Sequence, residues 1–158
     1  MESFFGMHDF SFLIISVAVD ESRTSNRALK EATKLAKGQR TILRLIHIVD
    51  ETPVYMADMP LLIDKFQKEM RQAGRKVLAN SAARAKRTRI KFDTKLVVIS
   101  NPAQRIGDAI NNEAKRWRAD LVVIGTHGRR GFSHLTLGSV AESVIRFAAK
   151  PVLVIHGH

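Results

Sequence analysis

The chain has no cysteine, which removes disulfides, zinc–thiolate sites and thiol catalysis and suits a reducing interior. It also lacks any apolar run near the ~20 residues that a membrane-spanning helix needs. The longest, Phe12–Val19, has Ser16 inside it. The opening "MESFFGMHDFSFLIISVAVD" carries Glu2 and Asp9 and no basic segment ahead of the apolar one. It therefore reads poorly as a secretory signal, and a cytoplasmic location is expected. Acidic residues are few, 15 against 26 Lys and Arg, so the formal net charge is +11. Such a field attracts nucleotides and polyanions and keeps copies of the molecule apart. No G-x-x-x-x-G-K-[ST] occurs, no G-x-G-x-x-G and no G-x-S-x-G. Those absences argue against a Walker-type ATPase, a dinucleotide fold of the usual fingerprint and a serine-hydrolase elbow. The terminal pair His156 and His158 has no third ligand near it in sequence, so it reads as a tail and not as a metal site.

What is present is a regular alternation. Phe10–Asp20, Thr41–Asp50, Ile90–Ser100, "DLVVIG" and "PVLVIHG" are apolar, β-branched runs, the pattern of strands buried on both faces. Helical segments separate them. In the first, Ala28, Leu29, Ala32, Leu35 and Ala36 form the apolar stripe and Gly38 the stop. A loop with two prolines follows the second strand. A long basic helix then runs from Leu61 to Lys86, with a thin stripe of Phe66, Met70, Val77 and Leu78. Asn101 and Pro102 suggest the cap and first turn of the next helix, whose buried stripe is Ile106, Ala109, Ile110, Ala114 and Trp117. The pattern predicts one α/β domain over residues 10–158, an open parallel five-stranded sheet with helices on both faces. Residues 1–9 read as a loose extension. Ligands in such sheets bind beyond the carboxyl ends of strands, where strand order reverses. Attention therefore falls on Asp20, Asp50, Ser100 and the glycines after "DLVVI".

Those glycines open "GTHGRRGFSHLTLGSV", Gly125–Val140. Gly125 and Gly128 can adopt positive φ or admit a ligand close to the main chain. Gly138 and Ser139 precede a helix whose first N–H groups and dipole favour an anion. Either the segment cradles a phosphate, or it is an ordinary strand–loop–helix crossing in which Ser139 serves as the N-cap. Arg129 and Arg130 can reach a phosphate with a bidentate fork or remain solvated. His127 can donate to a phosphate or order the loop.

The spacing Gly125-x2-Gly128-x9-Gly138-Ser139 resembles the nucleotide-binding motif of the universal stress protein family, in its ATP-binding subgroup. The likeness continues through "VAVDESRTSNRAL", "LIHIVD", "ADLVVIGTHGRRG", "LGSVAESVI" and "PVLVI", covering Phe10–Ile155 in order. The resemblance implies strand order 3-2-1-4-5, a Rossmann-like sheet of the adenine nucleotide alpha hydrolase type. It implies a homodimer through the last strand, Pro151–Ile155. It also implies ATP, or AMP or ADP, across the ends of strands one and four, any magnesium accompanying the nucleotide. By position, Ala18, Val19 and Asp20 would line the adenine and ribose, and Val49 would close the adenine pocket. Gly125, Gly128, Gly138 and Ser139 would hold the phosphates through backbone and hydroxyl donors, and Ile124, His127, Arg129 and Val140 join them as candidate nucleotide-binding residues. One departure is Ser100-Asn101-Pro102, where the family often has Gly-x-Pro.

Three functions follow as expectations. The first is a nucleotide-binding protein of stress response or signalling, holding ATP or AMP as a dimer. The second is a slow ATPase or nucleotide-dependent transferase, disfavoured because no general base or metal pair stands beside the cradle in sequence. The third is an interaction module using the basic segment Arg84–Lys91 on nucleic acid or an acidic partner. That segment lacks interleaved aromatics to stack on bases, and a basic last turn also suits a helix dipole.

Overall fold

The computed structural model describes residues 13–55, 60–127 and 137–157. Among them the chain runs β1 (Leu13–Ala18), α1 (Arg23–Ala36), β2 (Thr41–Asp50), α2 (Thr52–Tyr55) and α3 (Pro60–Lys86). It continues with β3 (Lys91–Ile99), α4 (Ile106–Arg116), β4 (Leu121–Gly125), α5 (Ser139–Phe147) and β5 (Val152–Ile155). The strands form one parallel sheet in the order β3-β2-β1-β4-β5. No helix among the described residues is long and apolar enough to cross a membrane.

Strand alternation divides the core in two. Ile15 and Val17 of β1, Leu43 and Leu45 of β2 and Val123 of β4 face α1 and α3. Ile14 and Ala18 of β1, Ile48 of β2 and Val122 and Ile124 of β4 face α4 and α5. Each aliphatic side chain fully buried in this way contributes about 1.5–3 kcal/mol. Covering both faces explains why the strands read as continuous apolar runs.

Several sequence expectations shift. Leu35 and Phe66 are exposed, not part of the buried stripes. α3 has 27 residues, ~40 Å of helix, longer than the sheet can cover, and its buried positions Gly74, Val77, Leu78, Ser81 and Ala85 lie in the second half. The helix begins one residue early, with Pro60 at its first position. Asn101 does not cap α4. Its Oδ1 accepts the Ala103 N–H at 2.9 Å and its carbonyl the Gln104 N–H at 3.0 Å, which closes a turn. The helix starts after Arg105, whose N–H donates to Asp108 at 3.3 Å.

One feature was not legible in the sequence. Arg44, mid-strand in β2, projects into the α4 layer. It pairs with Glu113 at 2.9 Å, is bonded to Asp93, and lies 4.7 Å from the centre of the Trp117 ring. Glu113 is 3% exposed. The ion pair fastens α4 to the sheet at one registration, because the guanidinium must meet β3 and α4 together. Glu113→Ala removes the buried one of the two carboxylates paired with Arg44 and leaves it with the half-exposed Asp93, so it should lower unfolding free energy by about 3 kcal/mol in urea titrations.

Candidate functional site

The strand order reverses between β1 and β4, and the chain leaves their carboxyl ends on opposite faces of the sheet. The resulting cleft has a volume of about 820 Å³. Ala18, Val19, Ile124 and Gly125 form its floor, Ile48, Ile106 and Ile110 one apolar wall, and Gly138, Ser139 and Val140 the opposite rim.

On the β1 side the turn is built from hydroxyls and one carboxylate. Asp20 Oδ1 accepts the Ser22 N–H at 2.9 Å, and the Asp20 N–H donates to Ser25 Oγ at 3.0 Å. Ser22 caps α1 by accepting the Ser25 N–H at 3.1 Å. Glu21 lies between them at φ +63°. Asp50 does the same work after β2, its Oδ1 accepting the Thr52 N–H at 3.0 Å and hydroxyl at 2.6 Å. Among the described residues no cluster of three potential metal ligands occurs.

On the β4 side, Gly125 admits close packing. A Cβ there would lie 2.6 Å from Thr24 Oγ1 and 2.8 Å from the Thr24 carbonyl carbon. Thr24 also presses on Gly157, where a Cβ would meet its methyl at 2.7 Å. Its hydroxyl donates to the His127 carbonyl, toward which Ser22 Oγ also donates at 3.3 Å. The positive-φ reading of Gly125 is thus corrected, for among the described glycines only Gly38 takes positive φ. What Gly125 supplies is absence of bulk between the start of α1 and the end of β4.

The chain leaves at His127 and returns at Leu137. The neck is closed by the Gly138 N–H donating to the Thr126 carbonyl at 2.7 Å, and a Cβ on Gly138 would stand 2.9 Å from that oxygen. Gly138 is also the N-cap of α5, without a side-chain bond, and Ser139 is the first helical residue. The Ser139 hydroxyl is therefore exposed at the rim and not spent on capping. The first intrahelical bond runs from Glu142 N–H to Gly138 carbonyl, so the earlier amides have no acceptor within the helix. His127 places Nδ1 2.9 Å from Thr126 Oγ1, while its Nε2 is buried without a partner.

The structure thus brings together Ala18, Val19, Asp20, Ile124, Gly125, His127, Gly138, Ser139 and Val140 around one cleft. Val49 stands apart. Its side chain meets the position a Cβ on Gly74 of α3 would occupy, at 2.7 Å, on the other face of the sheet. Alternation turns Ile48 to the cleft in its place. Gly128, Arg129 and Arg130 lie outside the described residues. Sequence reasoning missed Ile48, Ile106, Ile110 and Thr126 as lining residues. It also missed His47, whose Nδ1 donates to the Val19 carbonyl at 2.6 Å and ties β2 to β1 below the cleft. Alternation along β2 could have selected Ile48 once its inner face was known.

A model of the universal stress protein family matches residues 12–156. The chain belongs to that family. It is 30% identical over 146 residues to universal stress protein YxiE of Bacillus subtilis, covering 88% of this chain and 95% of that one. The solved universal stress protein of Burkholderia pseudomallei is 32% identical, with a TM-score of 0.68 over 92% of this chain and 96% of that one. The family member from Archaeoglobus fulgidus solved with dAMP shares the fold at 23% identity, with a TM-score of 0.63 over 92% and 98% of the chains. Other solved members carry cAMP and AMP. The strand order 3-2-1-4-5 is the family's.

The Thr24–Gly125 contact can be tested directly. Gly125→Ala forces a methyl against backbone that cannot yield, so it should destabilise the fold by about 1–3 kcal/mol in thermal or urea unfolding. Thr24→Ser alongside it should recover little, because the nearest clash includes the Thr24 main chain.

Proposed function

We propose that this universal stress protein binds an adenine nucleotide in the cleft between β1 and β4 and holds it without rapid turnover. The carrying observation is the juxtaposition of an apolar slot with the uncapped amides of α5, all at the strand-order reversal. A purine fits against Val19, Ile48 and Ile106. The ribose falls beside Asp20, and the phosphates face the amides of Ser139 and Val140 and the Ser139 hydroxyl. A phosphate at a helix start gains about 0.3–2 kcal/mol from the dipole, and the net charge adds long-range attraction. The unpartnered Nε2 of His127, lining the same cleft, offers one more polar contact. Support for the ligand class comes from family members solved with dAMP, cAMP and AMP.

ATP is the proposed ligand, with AMP or ADP as alternatives in the same place and magnesium carried on the phosphates. Asp20 and Asp50 each commit an oxygen to their own turns, which favours holding over hydrolysis. The role is stress response or signalling inside the cell. Calorimetric titration with ATP and AMP should give saturable binding to the wild type. In Gly138→Val, whose side chain meets the Thr126 carbonyl, the affinity should drop at least about tenfold while far-ultraviolet circular dichroism stays native. Equal binding by both proteins would defeat the assignment, and rapid release of labelled phosphate from ATP would favour the enzyme reading.

The proposed assembly is a homodimer through β5. Pro151 and Ile155 give their carbonyls to Val122 and Thr126 of β4, so the main-chain groups of Val152 and Val154 face the open edge. That edge carries only apolar side chains, whereas the opposite edge, β3, carries Lys91 and Lys95. Val154→Pro removes one outward N–H and leaves the β4 bonds in place. Light scattering should report a dimer for the wild type and a monomer for the variant.

A further inference from the structure

A second cavity, of about 420 Å³, lies at the opposite end of the sheet, between the turn that joins α1 to β2 and the turn that joins α3 to β3. β2 spans ten residues, so ~30 Å separates this cavity from the nucleotide cleft. Lys37, Arg40, Arg89 and Lys91 line it, and no carboxylate does.

The simplest account of cations there is the negative ends of α1 and α3. Those ends are already satisfied. The Leu35 carbonyl accepts Gln39 Nε2 at 3.1 Å, and that of Ala36 the Gln39 N–H at 3.2 Å. Ala85 receives both the Thr88 N–H at 2.9 Å and its hydroxyl at 2.6 Å, and Lys86 the Arg89 N–H at 3.3 Å. Lys37 and Arg89 make no ion pair among the described residues.

One further observation points to a ligand. Thr41 is 4% exposed, lines the cavity, and its Oγ1 is buried with no hydrogen-bond partner. Strand alternation turns that side chain to the face of Leu43 and Leu45, the face on which the cavity lies. A buried hydroxyl left unpaired is costly, and an anion oxygen or its hydrating water would satisfy it. Arg89 sits at φ +60°, where the equivalent turn after α1 uses Gly38 at φ +78°. A non-glycine residue in that region is strained, as it is at Glu21 and Arg118, and glycine at position 89 would relieve it.

We propose that this cavity is a site for a phosphate group, gripped by Lys37 and Arg89 and met from below by the Thr41 hydroxyl. Arg84, Lys86 and Arg87 continue the positive surface beside it, so the phosphate can belong to a free phosphoanion or to a nucleic-acid backbone. The proposal is independent of the nucleotide cleft and leaves that reading untouched.

The test is amide chemical-shift mapping of the labelled protein at low salt, with inorganic pyrophosphate and with a ten-nucleotide oligothymidine as probes. The amides of Gly38, Thr41 and Arg89 should shift together and saturate, distinct from any change at Ser139 and Val140, which reports the nucleotide cleft. Arg89→Gly should weaken this binding several-fold while keeping or raising the melting temperature, since glycine takes φ +60° without strain. Lys37→Ala combined with Arg89→Gly should weaken it at least tenfold, and Thr41→Val should weaken it without lowering the melting temperature. Tighter binding of pyrophosphate assigns a free phosphoanion. Tighter binding of the oligonucleotide, with the steeper salt dependence, assigns a nucleic-acid backbone. The proposal falls if neither probe produces saturable shifts at these amides, or if the shifts are unchanged in the Arg89→Gly and Lys37→Ala proteins.

Discussion

Thr24 stands between two glycines and a carbonyl, and the geometry of the cleft depends on it. Its methyl reaches Gly157, its hydroxyl and main chain crowd Gly125, and the hydroxyl donates to His127. Because both glycines lack a Cβ, the start of α1 can press onto the ends of β4 and β5. The β1 turn, held by Asp20, Ser22 and Ser25, is thereby drawn against the chain leaving β4. Across the cleft the Gly138 N–H returns the loop to Thr126, so the start of α5 faces the same space. A side chain at either glycine would push one wall away from the other.

The two ends of the sheet differ in chemistry because every helix antiparallel to the strands points its start toward the cleft and its finish away. Amides without intrahelical acceptors gather at one end, and carbonyls with basic neighbours at the other. Arg44 is the exception, a cation taken into the core, where Glu113, Asp93 and the Trp117 ring compensate its lost hydration. That pairing serves registration of α4 on the sheet, and α4 in turn supplies Ile106 and Ile110 to the cleft wall.

Much of the fold was readable from local pattern. Uninterrupted runs such as "TILRLIHIVD" announce a strand buried on both faces, and Gly38 marks a helix end where φ +78° is indeed adopted. Asn101-Pro102 misled, because the side chain that caps a helix also closes an Asx turn, and local sequence does not choose between them. Leu35 and Phe66 misled for a different reason. Helical spacing identifies an apolar face but not how far the sheet beneath it extends.

Sequence alone determined the order of the five strands and the four longer helices, the parallel sheet, and the segment from Gly125 to Val140 as the candidate ligand site. Those follow from periodicity and backbone freedom, which act within a few residues. Tertiary structure decided the rest. It turned Val49 to α3 and Ile48 to the cleft, made Gly125 a packing contact, and left the Ser139 hydroxyl at the rim without a capping role. It also gathered Lys37, Arg89 and Thr41 from three separate segments around one cavity. Which side chains share a space depends on contacts between residues far apart in the chain, and those exist only once the sheet has formed.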